Sequence, residues 1–377
     1  MKDKEVYFLL YASCIPVSGY KQTVICDTNN EVAKILPNDL FNLVAKSKDT
    51  DVETFKKIYH GEYDEIIDNL FNHLITENIG FYTNNPQCFP KMSLLWETPQ
   101  LLTNIVLVIK KDSVLENSIF NQIEESGCET IQIRFLFNFE IYDIEKILQN
   151  FHKSRLRSIE LILLYNPVYK LKEYHKILQL EPRITSVFVY SSPFNKTIIN
   201  KRLQNFLVFS TNNISENDCG VIRQYYFRIN TLLFTESQNH NTCLNRKLCI
   251  DSDGNIKNCI SMNRNFGNIK GTTLLEAIEK EGFKDLWFIT KDQIDICKDC
   301  EFRYMCTDCR SFIKDTDNIY SQPAKCTYNP YIAKWAEEEG YVPVEECGSY
   351  NKETGFVPDI EKITAINEKN NQQQVTD

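Results

Sequence analysis

The sequence is poor in the residues and patterns on which many enzymes depend. Its 377 residues include 12 glycines and 5 histidines, and no G-x-x-x-x-G-K-[ST], G-x-G-x-x-G or G-x-S-x-G pattern occurs. Nucleotide hydrolysis on a phosphate-binding loop and serine-nucleophile chemistry therefore lack support. The sequence predicts no nucleotide cofactor and identifies no catalytic residue.

An apolar run of about 20 residues, the length that spans a bilayer as a helix, is also missing. The first apolar run leads to Cys14, as in a lipoprotein signal, but Glu5 interrupts the order of charged and apolar residues that such a signal needs. With 42 basic and 51 acidic residues the formal charge is −9. We therefore expect a cytoplasmic protein that binds neither membranes nor nucleic acids.

Cysteine, in contrast, is abundant. Fourteen cysteines without a secretion signal indicate metal ligands or redox groups, because thiols stay reduced in the cytoplasm. Eight of them lie close together in the last part of the chain. They follow the pattern C-x5-C-x9-C, then C-x2-C-x5-C-x2-C, then a distant C, at Cys243, Cys249, Cys259, Cys297, Cys300, Cys306, Cys309 and Cys326.

Eight thiolates suffice for two sites of four ligands each. A C-x-x-C turn supplies two ligands from one tight loop. The sequence "DSDGN" between Cys249 and Cys259 predicts a hairpin turn, which would place those two thiols at neighbouring strand ends. Zinc is also bound by four cysteines. The spacing alone therefore leaves an iron–sulfur and a zinc interpretation open.

The chain is predicted to be an α/β protein. Between residues 100 and 215, short β-branched runs alternate with amphipathic helices, which is typical of βαβ units and a parallel sheet. We count five strands at most before the cysteines begin. Since a closed barrel needs eight, we predict a degenerate partial (β/α) barrel.

Residues 1–85 have a different pattern. Two strand-like runs, Tyr7–Cys14 and Thr23–Asp27, predict a hairpin with a longer loop. Three helices and a short aromatic strand near Phe81 should follow. This order of elements is expected of a small winged-helix module.

The last two regions are defined by composition. Residues 216–350 have few periodic segments and hold most of the cysteines, so we assign them to a cysteine-rich domain. The C-terminal tail, 351–377, becomes polar and repetitive. We predict that it is disordered from about residue 362.

The cysteine array closely resembles the SPASM domain of radical-SAM peptide-maturing enzymes. One departure is visible: two residues, Thr307 and Asp308, separate the last two cysteines of the inner run, where the family usually has three. The resemblance implies two [4Fe–4S] clusters. Its ligand scheme assigns the first cluster to Cys243, Cys249, Cys259 and Cys309, and the second to Cys297, Cys300, Cys306 and Cys326.

The radical-generating motif of those enzymes is missing from this sequence. They carry C-x3-C-x2-C after the first barrel strand, but no cysteine directly follows the corresponding strand, Ile105–Ile109. No three cysteines before Cys243 have that spacing. We therefore do not expect S-adenosylmethionine as a cofactor. A radical-SAM-like enzyme with an unrecognised third cluster stays an alternative.

A SPASM domain, a partial barrel and the N-terminal segment "CIPVSGYKQTVICD" (14–27) together resemble the grasp-with-spasm peptide maturases. This resemblance implies that the protein assists maturation of a ribosomally synthesised precursor peptide alongside an ATP-grasp ligase. Region 1–85 would bind the leader of the precursor as an added strand at a sheet edge. An adaptor, a redox enzyme that transfers electrons and a zinc-stabilised interaction module all stay open.

Overall fold

The computed structural model describes residues 5–111, 115–202, 204–215, 218–351 and 353–375. The chain divides into two compact units that interleave along the sequence. The loop unit comprises Met1–Trp96, Val221–Thr242 and Ile289–Asp377, and the sheet unit comprises Glu97–Gly220 and Cys243–Phe288. The domains predicted above are consecutive, so their boundaries do not coincide with these units.

The secondary structure of the described residues is as follows. The strands are β1 (Tyr7–Leu10), β2 (Cys14–Ser18), β3 (Gln22–Asp27), β4 (Val32–Pro37), β5 (Gly80–Thr83), β6 (Asn104–Ile109), β7 (Thr130–Phe135), β8 (Ser158–Leu164), β9 (Ile184–Tyr190), β10 (Lys196–Asn200), β11 (Asn205–Phe209), β12 (Lys247–Ile250), β13 (Ile256–Lys257), β14 (Tyr328–Asn329), β15 (Lys334–Trp335), β16 (Gly348–Asn351) and β17 (Gly355–Pro358). The helices are α1 (Asn38–Ser47), α2 (Val52–Ile58), α3 (Asp64–Thr76), α4 (Asn117–Glu125), α5 (Ile141–Gln149), α6 (Leu171–Ile177), α7 (Thr231–Glu236), α8 (Leu274–Ile278) and α9 (Ile360–Val375). No helix among the described residues is both long enough and apolar enough to cross a membrane.

The sheet unit is built on one sheet in the strand order β10-β11-β9-β8-β7-β6-β12-β13. Its six inner strands are parallel, whereas β10 and β13 are antiparallel to their neighbours. Every second side chain of β7 and β8 is buried, as the pleat of a strand requires. Helices α4, α5 and α6 connect successive parallel strands from β6 to β9. The prediction of a mixed α/β fold with a mostly parallel sheet is confirmed.

The predicted limit of five strands before the cysteines is wrong. Among the described residues of the sheet unit, six strands, β6 to β11, precede Cys243, because β10 forms an antiparallel hairpin with β11. Strand β10 lies at the edge and is largely exposed, so it lacks the apolar run that marks the inner strands. The sheet also continues into the cysteine region, since β12, which carries Cys249, pairs in parallel with β6.

The N-terminal hairpin differs from the prediction. Strands β2, β3 and β4 form a three-stranded antiparallel sheet, while β1 pairs with β5. The predicted run Tyr7–Cys14 is broken by a turn in which the Cys14 N–H donates to the Tyr11 carbonyl at 2.9 Å. The hairpin is therefore formed by β2 and β3. The three predicted helices and the closing strand β5 are present.

Two cores hold the N-terminal elements. Helix α3 buries an apolar stripe, in which Phe71 stacks on Phe8 of β1 with ring centroids 4.1 Å apart. The second core lies on one face of the β2–β3 hairpin, where Val17 and Val24 pack with Phe302. The hairpin is therefore part of the same packed structure as the C-terminal cysteine loop.

The tail predicted to be disordered from about residue 362 is helical in the structure, so that prediction is wrong. Helix α9 buries Ile363 in a core with Tyr331. The Asn367 amide donates to the Tyr331 carbonyl at 3.1 Å, and Asn370 donates to a further backbone carbonyl. Few residues of α9 pack inward, so its composition is mostly polar and the helix was not recognised in the sequence. Residues 352, 376 and 377 of the predicted tail lie outside the described residues.

Candidate metal centre

The C-x-x-C segment of the loop unit folds into a single tight turn. Cys297 begins a short 3-10 turn, and the Cys300 N–H donates to the Cys297 carbonyl at 3.0 Å. Directly before it, Ile296 has a φ of +69°, a conformation that β-branched residues rarely adopt. The Ile296 side chain is buried, so packing holds the strained residue in place. This turn presents two thiols from one loop.

Two more thiols reach the same region from later turns. The Cys306 N–H donates to the Phe302 carbonyl at 3.0 Å, and the Cys326 N–H donates to the Pro323 carbonyl at 3.1 Å. Cys306 is buried, as is Cys297, whereas Cys300 and Cys326 are half-buried. Short backbone turns therefore fix all four positions.

The four thiols lie close enough to shift one another's pKa. Burial is the main cause and raises the pKa of Cys297 and of Cys306 to about 11, and that of Cys300 well above its usual value. Beyond burial, negative charge on Cys306 raises the pKa of Cys297, and negative charge on Cys326 raises that of Cys306. The pKa of Cys300 is likewise raised by charge on Cys297 and Cys326. Metal binding at this position would release protons, because thiolates are the ligands.

Charged residues surround these thiols. The Lys291 ammonium lies 3.5 Å from the Cys306 sulfur and 3.6 Å from an Asp308 oxygen. The Arg310 guanidinium donates to the same Asp308 oxygen at 2.7 Å. Sequence reasoning missed this group, although Asp308 and Arg310 flank a predicted ligand. The signal in the sequence was the position of these two charged residues on either side of Cys309.

The described residues contain no preformed site for a single metal ion. No three His, Cys, Asp or Glu side chains among the described residues converge closely enough to hold a metal ion. A zinc site needs its four thiolates about 2.3 Å from a single ion. An iron–sulfur cluster distributes its thiolates over several irons. Four mutually interacting thiols beside a buried cation are compatible with such a cluster.

Three predicted ligands lie in the sheet unit. Cys249 is on β12, whose antiparallel pairing with β13 places Cys249 opposite Lys257, two residues before Cys259. The predicted hairpin turn is present, and Gly254 in it has a φ of +83°. Burial raises the pKa of Cys249, and negative charge on Cys259 adds to this effect. Cys243 and Cys259 are half-buried and pack against the core of the sheet unit.

Cys309 is the fourth residue that the resemblance assigns to the first cluster. It is 3% exposed and belongs to the loop unit. The structure thus brings Cys249 and Cys259 together and places Cys243 in the same unit. The ligand set of the first cluster stays a prediction.

A separate cavity of about 830 Å³ lies within the N-terminal part of the loop unit. Its walls are β1, the start of β2, helix α1 and residues 86–94, and most of its lining is apolar, including Phe41, Val44 and Phe89. Each of the two strands is hydrogen-bonded to a single neighbouring strand among the described residues. We call this cavity the N-terminal groove.

Two further cysteines, Cys14 and Cys26, flank the loop of the N-terminal hairpin and could form a redox pair only as strand neighbours. In the structure Cys14 pairs with Asp27, and Cys26 pairs with Ile15. Because successive residues of a strand point to opposite faces, the two thiols lie on opposite faces of the sheet. They pack in separate cores and are buried thiols.

Residues 242–301 match the family model of the SPASM iron–sulfur cluster-binding domain. The matched segment includes the first five predicted ligands and ends before Cys306. No curated protein matches the chain at a significant level. The chain therefore contains a SPASM iron–sulfur cluster-binding domain, followed by three more cysteines of the predicted array.

Proposed function

We propose that this protein assists maturation of a ribosomally synthesised peptide alongside an ATP-grasp ligase, by binding the precursor and holding two [4Fe–4S] clusters. The observation that carries the proposal is the match of residues 242–301, which include Cys297 and Cys300, to the SPASM domain. The later cysteines Cys306 and Cys326 pack in one core with Cys300. One cluster would be held by Cys297, Cys300, Cys306 and Cys326. The other would be held by Cys243, Cys249, Cys259 and Cys309, as the family resemblance implies.

The residues around Cys297, Cys300, Cys306 and Cys326 suit an iron–sulfur cluster. Burial keeps bulk water from Cys297 and Cys306, and the Lys291 ammonium offsets negative charge on the ligands. When bound, an iron–sulfur cluster accepts and donates single electrons. It would also tie together a loop region with few strands or helices, since metal binding contributes free energy to folding.

The N-terminal groove is the proposed site for the precursor. Extended peptides bind by adding a strand to an unpaired sheet edge, with pockets for alternate side chains. The groove offers apolar walls and two strands with one strand neighbour each. An apolar leader segment in extended conformation fits these features. The middle of the chain would then be a scaffold, and no catalytic residue is assigned.

Metal analysis after strictly anaerobic purification tests the cluster proposal. About eight irons per chain with matching sulfide would support two clusters. About twelve irons would indicate a third cluster and a radical enzyme. About two zinc ions without sulfide would replace the proposal by a zinc-stabilised interaction module.

Binding experiments test the role of the protein. Synthetic leader segments of a candidate precursor peptide should bind the iron-loaded chain, and an ATP-grasp ligase should co-purify with it. If no leader segment binds, the adaptor role is wrong. Cluster spectra and reduction potentials that change on peptide binding would favour a redox enzyme. Unchanged spectra with tight binding would favour an adaptor.

A further inference from the structure

Lys291 is a buried lysine among the predicted ligands. It begins a short 3-10 turn, Lys291–Gln293, and is 5% exposed. Lysine is almost never fully buried without a partner. Its ammonium donates to the Cys306 sulfur at 3.5 Å and lies 3.6 Å from an Asp308 oxygen. The side chain is therefore directed at one particular cysteine ligand.

Asp308 does not neutralise Lys291 by itself. The same carboxylate accepts from the buried Arg310 guanidinium at 2.7 Å and from the Asn241 amide at 2.7 Å. Arg310 otherwise donates to two backbone carbonyls, which carry no net charge. Two buried cations thus share one buried carboxylate, and one positive charge is left over. A buried excess charge is costly unless a countercharge lies nearby.

The thiolates of the neighbouring ligands supply that countercharge. The Lys291 ammonium lies 3.5 Å from the Cys306 sulfur and 3.6 Å from an Asp308 oxygen, so this buried cation is within hydrogen-bonding distance of a proposed ligand. The reduction potential of an iron–sulfur cluster depends on its net charge, on hydrogen bonds to its sulfurs and on solvent exposure. Lys291 affects the net charge near the cluster and the hydrogen bonding to one of its ligand sulfurs.

We propose that Lys291 raises the reduction potential of the cluster held by Cys297, Cys300, Cys306 and Cys326, through its hydrogen bond to the Cys306 sulfur and its buried positive charge. This inference rests on the proposed ligand set. Reduction adds one electron and thus one negative charge to the cluster. A fixed cation next to a ligand stabilises the reduced state more than the oxidised state. Lys291 acts on the cluster through the ligand Cys306, and it neither takes up nor releases a proton.

An electron paramagnetic resonance titration with dithionite, at poised potentials, tests the inference on the full iron-loaded chain. Lys291→Met removes the charge and the donor at similar length, and one midpoint potential should become more negative. Lys291→Gln keeps a donor without the charge and should give a smaller shift in the same direction. Iron and sulfide content should equal that of the wild type.

Lys298→Met is the matched control. Lys298 follows Cys297 in the sequence, but its side chain is 37% exposed and lies 3.6 Å from the Asp295 carboxylate. Its removal should leave both midpoint potentials within experimental error, because solvent screens an exposed charge. A Lys291→Met protein that holds its full iron but keeps the wild-type potentials would overturn the inference.

A second measurement covers the case in which Lys291→Met loses its cluster. Wild-type protein with ¹⁵N-labelled lysine, reduced with dithionite, should show a nitrogen coupling in pulsed resonance spectra of the cluster. Absence of that coupling would rule out the hydrogen bond to Cys306. The two proposals can fail separately. A wild-type chain without iron would refute the proposed ligand set. An iron-loaded chain that shows neither the nitrogen coupling nor the shift in midpoint potential would refute only the role of Lys291.

Discussion

The Gln22 amide nitrogen lies 2.6 Å from a carboxylate oxygen of Glu301, although the two residues are 279 positions apart. Glu301 follows the predicted ligand Cys300 directly and is fully buried. Glycine is required at position 19, because a Cβ there would lie 2.7 Å from the Glu301 backbone nitrogen. A further bond joins the two segments: the Arg303 guanidinium donates to the Ser18 carbonyl at 2.7 Å. The β2–β3 hairpin is thereby fastened to the cysteine loop.

Replacement of Gln22 should weaken this junction. Gln22→Ala removes a donor to a buried carboxylate, and we expect the free energy of unfolding to fall by about 1–3 kcal/mol. Urea denaturation measures the change. Gln87→Ala, at an exposed position of the same N-terminal region, is the control and should stay within about 0.5 kcal/mol of the wild type. Equal effects of the two substitutions would contradict a structural role for the Gln22–Glu301 bond.

The ion pair between Glu181 and Arg183 predicts a dependence of stability on pH. The side chains are 14% and 21% exposed, and Arg183 also donates to the Phe151 carbonyl at 2.9 Å. Hydrogen bonds from Arg183 lower the pKa of Glu181. A lowered carboxyl pKa stabilises the fold above the unfolded-state pKa, and this contribution is lost as pH falls through the folded-state pKa.

Glu181→Gln should therefore cost about 1–2 kcal/mol of unfolding free energy at pH 7 and progressively less below about pH 4. Denaturation at a series of pH values checks this. Asp253→Asn removes an exposed ion pair with Lys110 in the same unit and should cost at most about 0.5 kcal/mol. A stability difference between wild type and Glu181→Gln that grows on acidification would contradict the expected loss of the ion pair at low pH.

The N-terminal groove predicts a residue that contributes to leader binding. Phe89 lines the groove, is 51% exposed and packs edge-on against Phe81 with ring centroids 4.8 Å apart. Exposed aromatic residues in a pocket often dominate binding, so Phe89→Ala should lower leader affinity about tenfold. Fluorescence anisotropy with a labelled leader segment measures it. Phe288→Ala, at an aromatic residue 57% exposed in the sheet unit, should leave the affinity unchanged.

Cys14 and Cys26 should react slowly with alkylating agents. Burial is the main cause that raises the pKa of Cys14 to about 11 and that of Cys26 to about 12, so both are protonated at pH 8. The exposed Cys88 serves as the internal control and should be labelled first. Mass spectrometry after a short iodoacetamide pulse gives the order. A disulfide between Cys14 and Cys26 in the native protein would contradict their placement on opposite faces.

Local patterns explain which parts of the fold were predictable. The β-branched runs of β7 and β8 and the turn that contains Gly254 are properties of neighbouring residues, and both were recognised in the sequence. The predicted hairpin implied a strand at Cys249, but the pairing of that strand, β12, with β6 escaped prediction because β6 lies far earlier in the chain. The same limit applies to Lys291, whose proposed role depends on its contact with Cys306. Contacts between distant segments leave no periodic trace in a sequence.

The junction between Gln22 and Glu301 also determines when the loop unit can be completed during synthesis. At 5–20 residues per second, roughly 15–55 s separate the translation of the two residues. During that time the apolar side chains of Val17 and Val24 lack their C-terminal partner Phe302, and the whole sheet unit is translated before that partner. The nascent chain therefore carries an incomplete, aggregation-prone N-terminal segment until the segment with Phe302 emerges. The last cysteines of the array, Cys306, Cys309 and Cys326, are likewise translated only at that late stage.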